Sequence, residues 1–219
     1  MIEASGRKTV RKRSNLPPAR TRSNGDETRR RLVEACLEHV WERGYAASSV
    51  SLIAEAANAP KGSVFYHFPT KDEFVIAAVQ EYVAQAAARR RTDLLPDRPA
   101  DRPTIDRLKS YFRKRLEARR PTKFRRGCLL GNLAAEVNDA SSPMLAKAVQ
   151  KGLSAFEGDV ATFLEAAARA GEIRTGLRLP AVASGIVNGR EGALLRMKLT
   201  GSAKPLEVFV DNLPAMLDR

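Results

Sequence analysis

Apolar positions recur at helical intervals along most of this chain, and polar breakers separate one stripe from the next. Leu32, Cys36 and Val40 form one stripe at spacing four, with Val33, Leu37 and Trp41 beside it. They predict a helix from Asp26, as its cap, to Arg43, ended by Gly44. Ser49 caps a second helix, Val50–Ala57, whose inner face is Val50, Ile53, Ala54 and Ala57. Asn58 tolerates a left-handed turn, and Pro60 suits the first turn of a third helix, Lys61 to Phe68, which Pro69 stops. Thr70 then caps a fourth, with Glu73 completing a capping box.

The rest of the chain also reads as helix, with no alternating β pattern. Residues 91–103 hold three prolines and read as a loop. Helices fit 104–119, 127–138, 143–170, 180–199 and 204–217, with Gly171 ending the third of these. The expected fold class is all-α.

Charge adds a partner to this picture. The chain carries a net +13 with a pI near 10.3, which favours a polyanion. Residues 1–24 carry +6, 25–88 carry −3, 89–126 carry +10, and 127–219 balance. The first segment has almost no apolar periodicity and reads as a disordered basic arm, either a solubilising tail or one that tracks phosphates. It lacks the apolar centre of a signal peptide, and no apolar run approaches the ~18 residues needed to span a bilayer. Two cysteines, Cys36 and Cys128, are too few for a disulfide framework, so a cytoplasmic setting is expected.

A long helix, a short helix, a tight turn and another short helix make the layout of a helix-turn-helix. Its last part, "KGSVFYHFPTKDEF" at 61–74, crowds Phe65, Tyr66, Phe68 and Phe74 around a lysine-flanked turn. Val64 and Phe68, at spacing four, are expected in the core, which leaves Lys61, Ser63, Tyr66 and His67 on faces that can meet a groove.

From Ile53 the chain reads "IAEAANAPKGSVFYHFPTKDEF", and residues 26–80 thereby resemble the DNA-binding domain of the TetR/AcrR family of bacterial repressors. The resemblance implies that Ser63, Tyr66 and His67 contact DNA and that Lys71 contacts a phosphate. The candidate DNA-binding set is Ser49, Lys61, Gly62, Ser63, Tyr66, His67 and Lys71. Three positions depart from the family pattern. Asn58 stands at the turn glycine, Pro60 at a Ser-type cap, and Phe65 at a common tyrosine, which makes Phe65 a packing residue in this reading. The expected organisation is an arm at 1–24, a helix-turn-helix domain at 25–75, and a helical ligand-binding and dimerisation domain at 76–219.

Within that second domain, Ala181, Gly185, Gly189 and Ala193 repeat at spacing four and allow another helix to approach closely. Leu206, Phe209, Val210, Leu213 and Leu217 give the final helix a broad apolar stripe. The family resemblance implies that these last two helices form a homodimer interface, with Ala181, Gly185, Gly189, Ala193, Phe209 and Leu213 as candidates; intramolecular packing is the alternative.

On the helix expected at 127–138, Cys128, Asn132 and Glu136 share one stripe beside Leu129, Leu133 and Val137. Facing solvent, that stripe means little; facing inward, its polar groups require partners, and a ligand could be one. The stretch resembles a branch of the family with a "GCLLGNLAAE"-type segment, which includes repressors of electrophile-detoxifying reductases and of acrylate utilisation. With Arg125 and Arg126 just before it, the candidate ligand-binding set is Arg125, Arg126, Cys128, Asn132 and Glu136, and the expected effector is anionic or electrophilic, such as acrylate or an acryloyl thioester. Cys128 is either a reactive thiol or a small apolar wall residue.

An enzyme finds little support. The two histidines, His39 and His67, join no catalytic arrangement, metal-spaced cluster or phosphate loop, so no cofactor or metal is expected. The expected function is a dimeric repressor that binds a palindromic double-stranded operator and is released by a small effector. The alternatives are a nonspecific basic nucleic-acid-binding protein and a cysteine-dependent enzyme.

Overall fold

The computed structural model describes residues 22–94 and 102–217, and all regular structure among them is helical. The order is α1 (Arg22–Arg43), α2 (Val50–Ala56), α3 (Lys61–His67), α4 (Lys71–Asp93), α5 (Thr104–Glu117), a 3₁₀ turn at Arg120–Thr122, α6 (Leu129–Ala134), α7 (Pro143–Arg169), α8 (Leu179–Thr200) and α9 (Lys204–Leu217). Most of the expected arm at 1–24 and of the loop at 91–103 lies outside the described residues. No helix among the described residues is long and apolar enough to cross a membrane.

The first three helices enclose a small core. Leu32, Cys36, Ile53 and Val64 are fully buried, and Phe68 stacks on Phe74 with ring centroids 4.8 Å apart. Ser49 accepts a hydrogen bond from the Leu52 N–H at 3.2 Å, Asn58 takes φ 48°, and the Thr70–Glu73 capping box closes in both directions. The first helix differs from expectation at its start. It begins at Arg22, so Asp26 lies inside it rather than capping it. Arg30 pairs with Glu27 at 2.7 Å and Glu34 at 2.5 Å on its exposed face, the i, i+3 and i, i+4 contacts that support a helix.

The capping box starts a single helix of 23 residues, α4, which runs from the first three helices into the second half, so residue 75 falls inside a helix. There α4 packs on α7, α7 on α8, α8 on α9, and α9 back on α5. Gly152 lets α7 come close: a Cβ there would lie 2.8 Å from Val83 and 3.0 Å from Leu130.

The helix expected at 127–138 is much shorter. Lys123, Phe124 and Gly127 all have positive φ (50°, 61° and 64°), which keeps the backbone out of right-handed helix until Leu129. Cys128 is therefore the N-cap of α6, and Glu136 lies beyond its end.

Candidate nucleic-acid interface and internal cavity

Helix α3 rests on the core through Val64 and presents the rest of its surface outward. Lys61 and Gly62 are exposed, Ser63 and His67 are half-buried, and Tyr66 is 83% exposed with its ring edge-on to His67 at 5.0 Å. Apart from that ring contact, the Tyr66 side chain projects from the surface. Phe65 corrects the sequence reading. It is 47% exposed beside Tyr66 rather than packed, because Val64 and Phe68 fill the inward positions of this short helix.

Lys71, at the first position of α4, is already held. Its ammonium donates to the Tyr45 carbonyl at 2.7 Å and sits 4.0 Å from the centre of the Tyr45 ring, while the Tyr45 hydroxyl donates to Asp72. This fastens the turn after α1 to the start of α4.

Behind the reading head lies a cavity of about 270 Å³. Trp41 of α1 forms one wall and meets Tyr82 of α4 edge-on at 5.2 Å. Arg115 and Arg119, four residues apart at the end of α5 and just beyond it, form another. Across the cavity, Phe156 of α7 lies between two guanidiniums, Arg90 at 4.7 Å and Arg190 at 5.0 Å from its centroid. The Arg90 guanidinium also pairs with Asp159 at 2.6 Å, and Arg190 pairs with Glu191.

Cys128 completes the wall, its sulfur 3.7 Å from the Tyr82 hydroxyl and 3.9 Å from an Arg190 nitrogen. Burial raises the Tyr82 pKa, so the phenol stays protonated. Burial works against the Arg190 charge, but Glu191, Cys128, Tyr82 and Tyr111 together outweigh it, and its pKa is raised. For Arg119, burial and then the nearby Arg190 charge lower the pKa. Cys36, by contrast, lies in the core, where burial pushes its thiol up to about 12.

This two-part design has known counterparts. Residues 104–213 match the tetracyclin repressor-like C-terminal domain, and residues 32–78 match the bacterial regulatory proteins of the tetR family. The chain belongs to the TetR family. Among its relatives, the HTH-type transcriptional repressor DhaR of Mycobacterium sp. (strain GP1) is 32% identical over 185 residues, covering 83% of this chain and 88% of that protein. The transcriptional regulator AcuR of Cereibacter sphaeroides is 32% identical over 178 residues, covering 81% and 80%. A regulatory protein TetR from Rhodobacter sphaeroides has a similar solved structure, with a TM-score of 0.79 and 30% identity, covering 87% of this chain and 98% of that one. These TetR-family relatives are transcriptional regulators and not enzymes, which sets aside the cysteine-dependent enzyme.

In this TetR-family chain the five ligand candidates do not share one site. Only Cys128 lines the cavity. Arg125 is exposed. Arg126 instead pairs with Glu38 at 2.6 Å and Glu42 at 2.5 Å, over the Trp41 ring. Asn132 donates to the Arg126 carbonyl at 2.9 Å and accepts from Lys198 at 3.1 Å. Glu136 accepts from the Ala46 N–H at 2.9 Å, close against Gly44. The stripe comes apart because α6 ends at Ala134, before Glu136, and because Asn132 is taken up by the Arg126 carbonyl and Lys198. The cavity arginines were missed, although Tyr111, Arg115 and Arg119 at spacing four were a readable signal within the basic segment.

The association candidates divide in the same way. Ala181, Gly185 and Gly189 are exposed. Ala193, Phe209 and Leu213 are buried within the protomer, where Phe209 meets Phe112 edge-on at 5.2 Å. A Cβ at Gly189 would lie 3.2 Å from the Phe209 ring, so this glycine admits α9. The face left open on α8 and α9 carries Leu195 (66% exposed), Leu199 (84%), Val208 and Met216, with Gly185 and Gly192 bare beside them.

Proposed function

We propose that the protein is a homodimeric transcriptional repressor that places α3 in the major groove at each half of a palindromic operator and leaves DNA when a small effector occupies the cavity. The observation that carries this reading is Trp41. It belongs to α1, the base on which the reading head is packed, and it is also a wall of the cavity. A ligand there acts on the reader's own foundation, and a coupling of ~1–3 kcal/mol is enough for ~5–150-fold in DNA affinity.

Lys61, Gly62, Ser63, Tyr66 and His67 form the groove surface, Ser49 fixes the start of α2, and Lys71 holds the turn after α1 in place. The exposed apolar face of α8 and α9 supports the dimer, because a patch of this kind marks an association surface. The effector is anionic or electrophilic. About 270 Å³ lies just below the ~300–1,000 Å³ of pockets that enclose drug-sized ligands, so acrylate or the acyl end of a thioester fits and a whole coenzyme does not.

Binding of the purified protein to promoter DNA containing a palindrome, against a scrambled duplex of equal length, tests the reading. A clear preference for the palindrome supports it. Equal affinity with a steep salt dependence would establish the nonspecific basic binder instead.

A further inference from the structure

Four buried side-chain polar atoms among the described residues have no hydrogen-bond partner. Three belong to the cavity wall: Trp41 Nε1, Arg115 Nε and Arg119 Nε. All three are N–H donors and cannot accept, so only an acceptor satisfies them.

The charges around them point the same way. Five arginines share the wall (Arg89, Arg90, Arg115, Arg119 and Arg190) with one carboxylate, Glu191. The nearby carboxylates are already engaged: Asp159 with Arg90, Glu191 with Arg190, and Asp93 with Lys114 at 2.7 Å and with Arg115 at 3.7 Å. Arg89 and Arg119 have no ion-pair partner among the described residues. Burial and the neighbouring Arg190 depress the Arg119 pKa, a cost that an anion beside it would offset. Leu130, Leu153 and Phe156 make the remaining wall apolar.

We infer that this cavity binds a small organic carboxylate with a short apolar tail, its oxygens taken by Arg119, Arg115 and the Trp41 indole N–H and its tail packed on Leu130, Leu153 and Phe156. A guanidinium presents paired donors that match a carboxylate. An inorganic anion leaves the apolar wall unfilled, and a neutral amide leaves the guanidiniums uncompensated. The inference rests on reading the cavity as the effector site, and it names the effector's chemistry. It also moves the anion site from Arg125 and Arg126, where the sequence placed it, to the cavity lined by Arg115 and Arg119.

Trp41 is the single tryptophan of the chain, so its fluorescence reports directly on the wall. The full chain is titrated with sodium butyrate and sodium cyclohexanecarboxylate. The corresponding amides, and sodium chloride at matched ionic strength, serve as controls. The expected result is a saturable change with both acids, tighter for the larger tail, and none with amides or chloride. Arg119→Gln, checked for helix content by circular dichroism, weakens the acids by about tenfold or more. No saturable response to either acid, or equal responses to acid and amide, overturns the inference, and both results come from the unaltered protein. The same compounds are added to an operator complex. Saturable acid binding without DNA release upholds the carboxylate site and refutes the effector reading. Release by the amides alone upholds the effector reading and overturns the carboxylate site.

Discussion

Arg126 lays its guanidinium against the Glu42 carboxylate at 2.5 Å and so joins the segment before α6 to α1. Glu38 takes the same guanidinium at 2.6 Å, and Glu136, past the other end of α6, accepts from Ala46 at 2.9 Å. The base of the reading head is thus gripped on both sides of a helix whose N-cap, Cys128, lines the cavity.

Breaking that grip should alter signalling more than stability. The glutamates are about half exposed, and a surface pair contributes ~0–1 kcal/mol. The hydrogen bond from Arg126 holds the Glu42 pKa below its ordinary value. Its contribution is therefore present above the unfolded carboxylate's pKa of ~4.3 and is lost as pH falls through the lower folded value. Arg126→Ala should lower the urea midpoint slightly at pH 7 and by less in acid, where the carboxylates are protonated and the contact with the Trp41 ring remains, while raising the effector concentration needed for release. Equal midpoint differences at both pH values would show that the ion pair is not the cause.

Tyr66→Ala and Ser63→Ala should leave folding intact and weaken operator binding by ~1–3 kcal/mol each, with less loss on scrambled DNA. Phe65→Ala should behave likewise, since its ring is half exposed beside Tyr66. Electrophoretic mobility shifts on both duplexes check this, and unchanged operator affinity in all three variants would remove α3 from the reading role.

Lys71→Ala carries two consequences. Losing the hydrogen bond and ring contact at Tyr45 should cost ~1 kcal/mol of stability, and losing a charge near the phosphates should flatten the salt dependence by roughly one counterion. Urea unfolding reads the first effect, and operator affinity against salt concentration reads the second.

On α8 and α9, exposed and buried apolar residues should respond differently. Leu199→Asp, at an 84% exposed position, should dissociate the dimer with little loss of helix. Phe209→Ala should destabilise the protomer by ~3–5 kcal/mol, because its ring fills the space between Gly189 and Phe112. Sedimentation equilibrium and thermal unfolding separate the two outcomes.

Cys128→Ser should release DNA at the same effector concentration as the unaltered protein, because a carboxylate held by Arg119 and Arg115 needs no bond to sulfur. A loss of release in this variant, with carboxylate binding retained, would assign Cys128 a covalent role.

Most of the helices and the caps at Ser49 and Thr70 were legible in the sequence because they depend on neighbours within a few residues, whereas Asp26 lies inside α1. Ser49, Asn58 and the Thr70–Glu73 box act over one turn, and the core stripe Leu32–Cys36–Val40 has only one face to bury. Which side of a short polar segment faces inward is not local. Positive φ at Lys123, Phe124 and Gly127 delays α6 to Leu129 and the helix ends at Ala134, while the packed neighbours take Asn132 to the Arg126 carbonyl and Lys198 and Glu136 to Ala46 instead of the cavity. Likewise, spacing four marks Gly185 and Gly189 alike, but only the packing of α9 puts the Phe209 ring against one and leaves the other bare. Arg119, Arg190 and Trp41 lie on three separate elements, and their shared wall exists only once α1, α5 and α8 have packed around α4 and α7. Hydrogen bonds within a turn are decided by adjacent residues, whereas a cavity is the space left between helices that meet only in the folded chain.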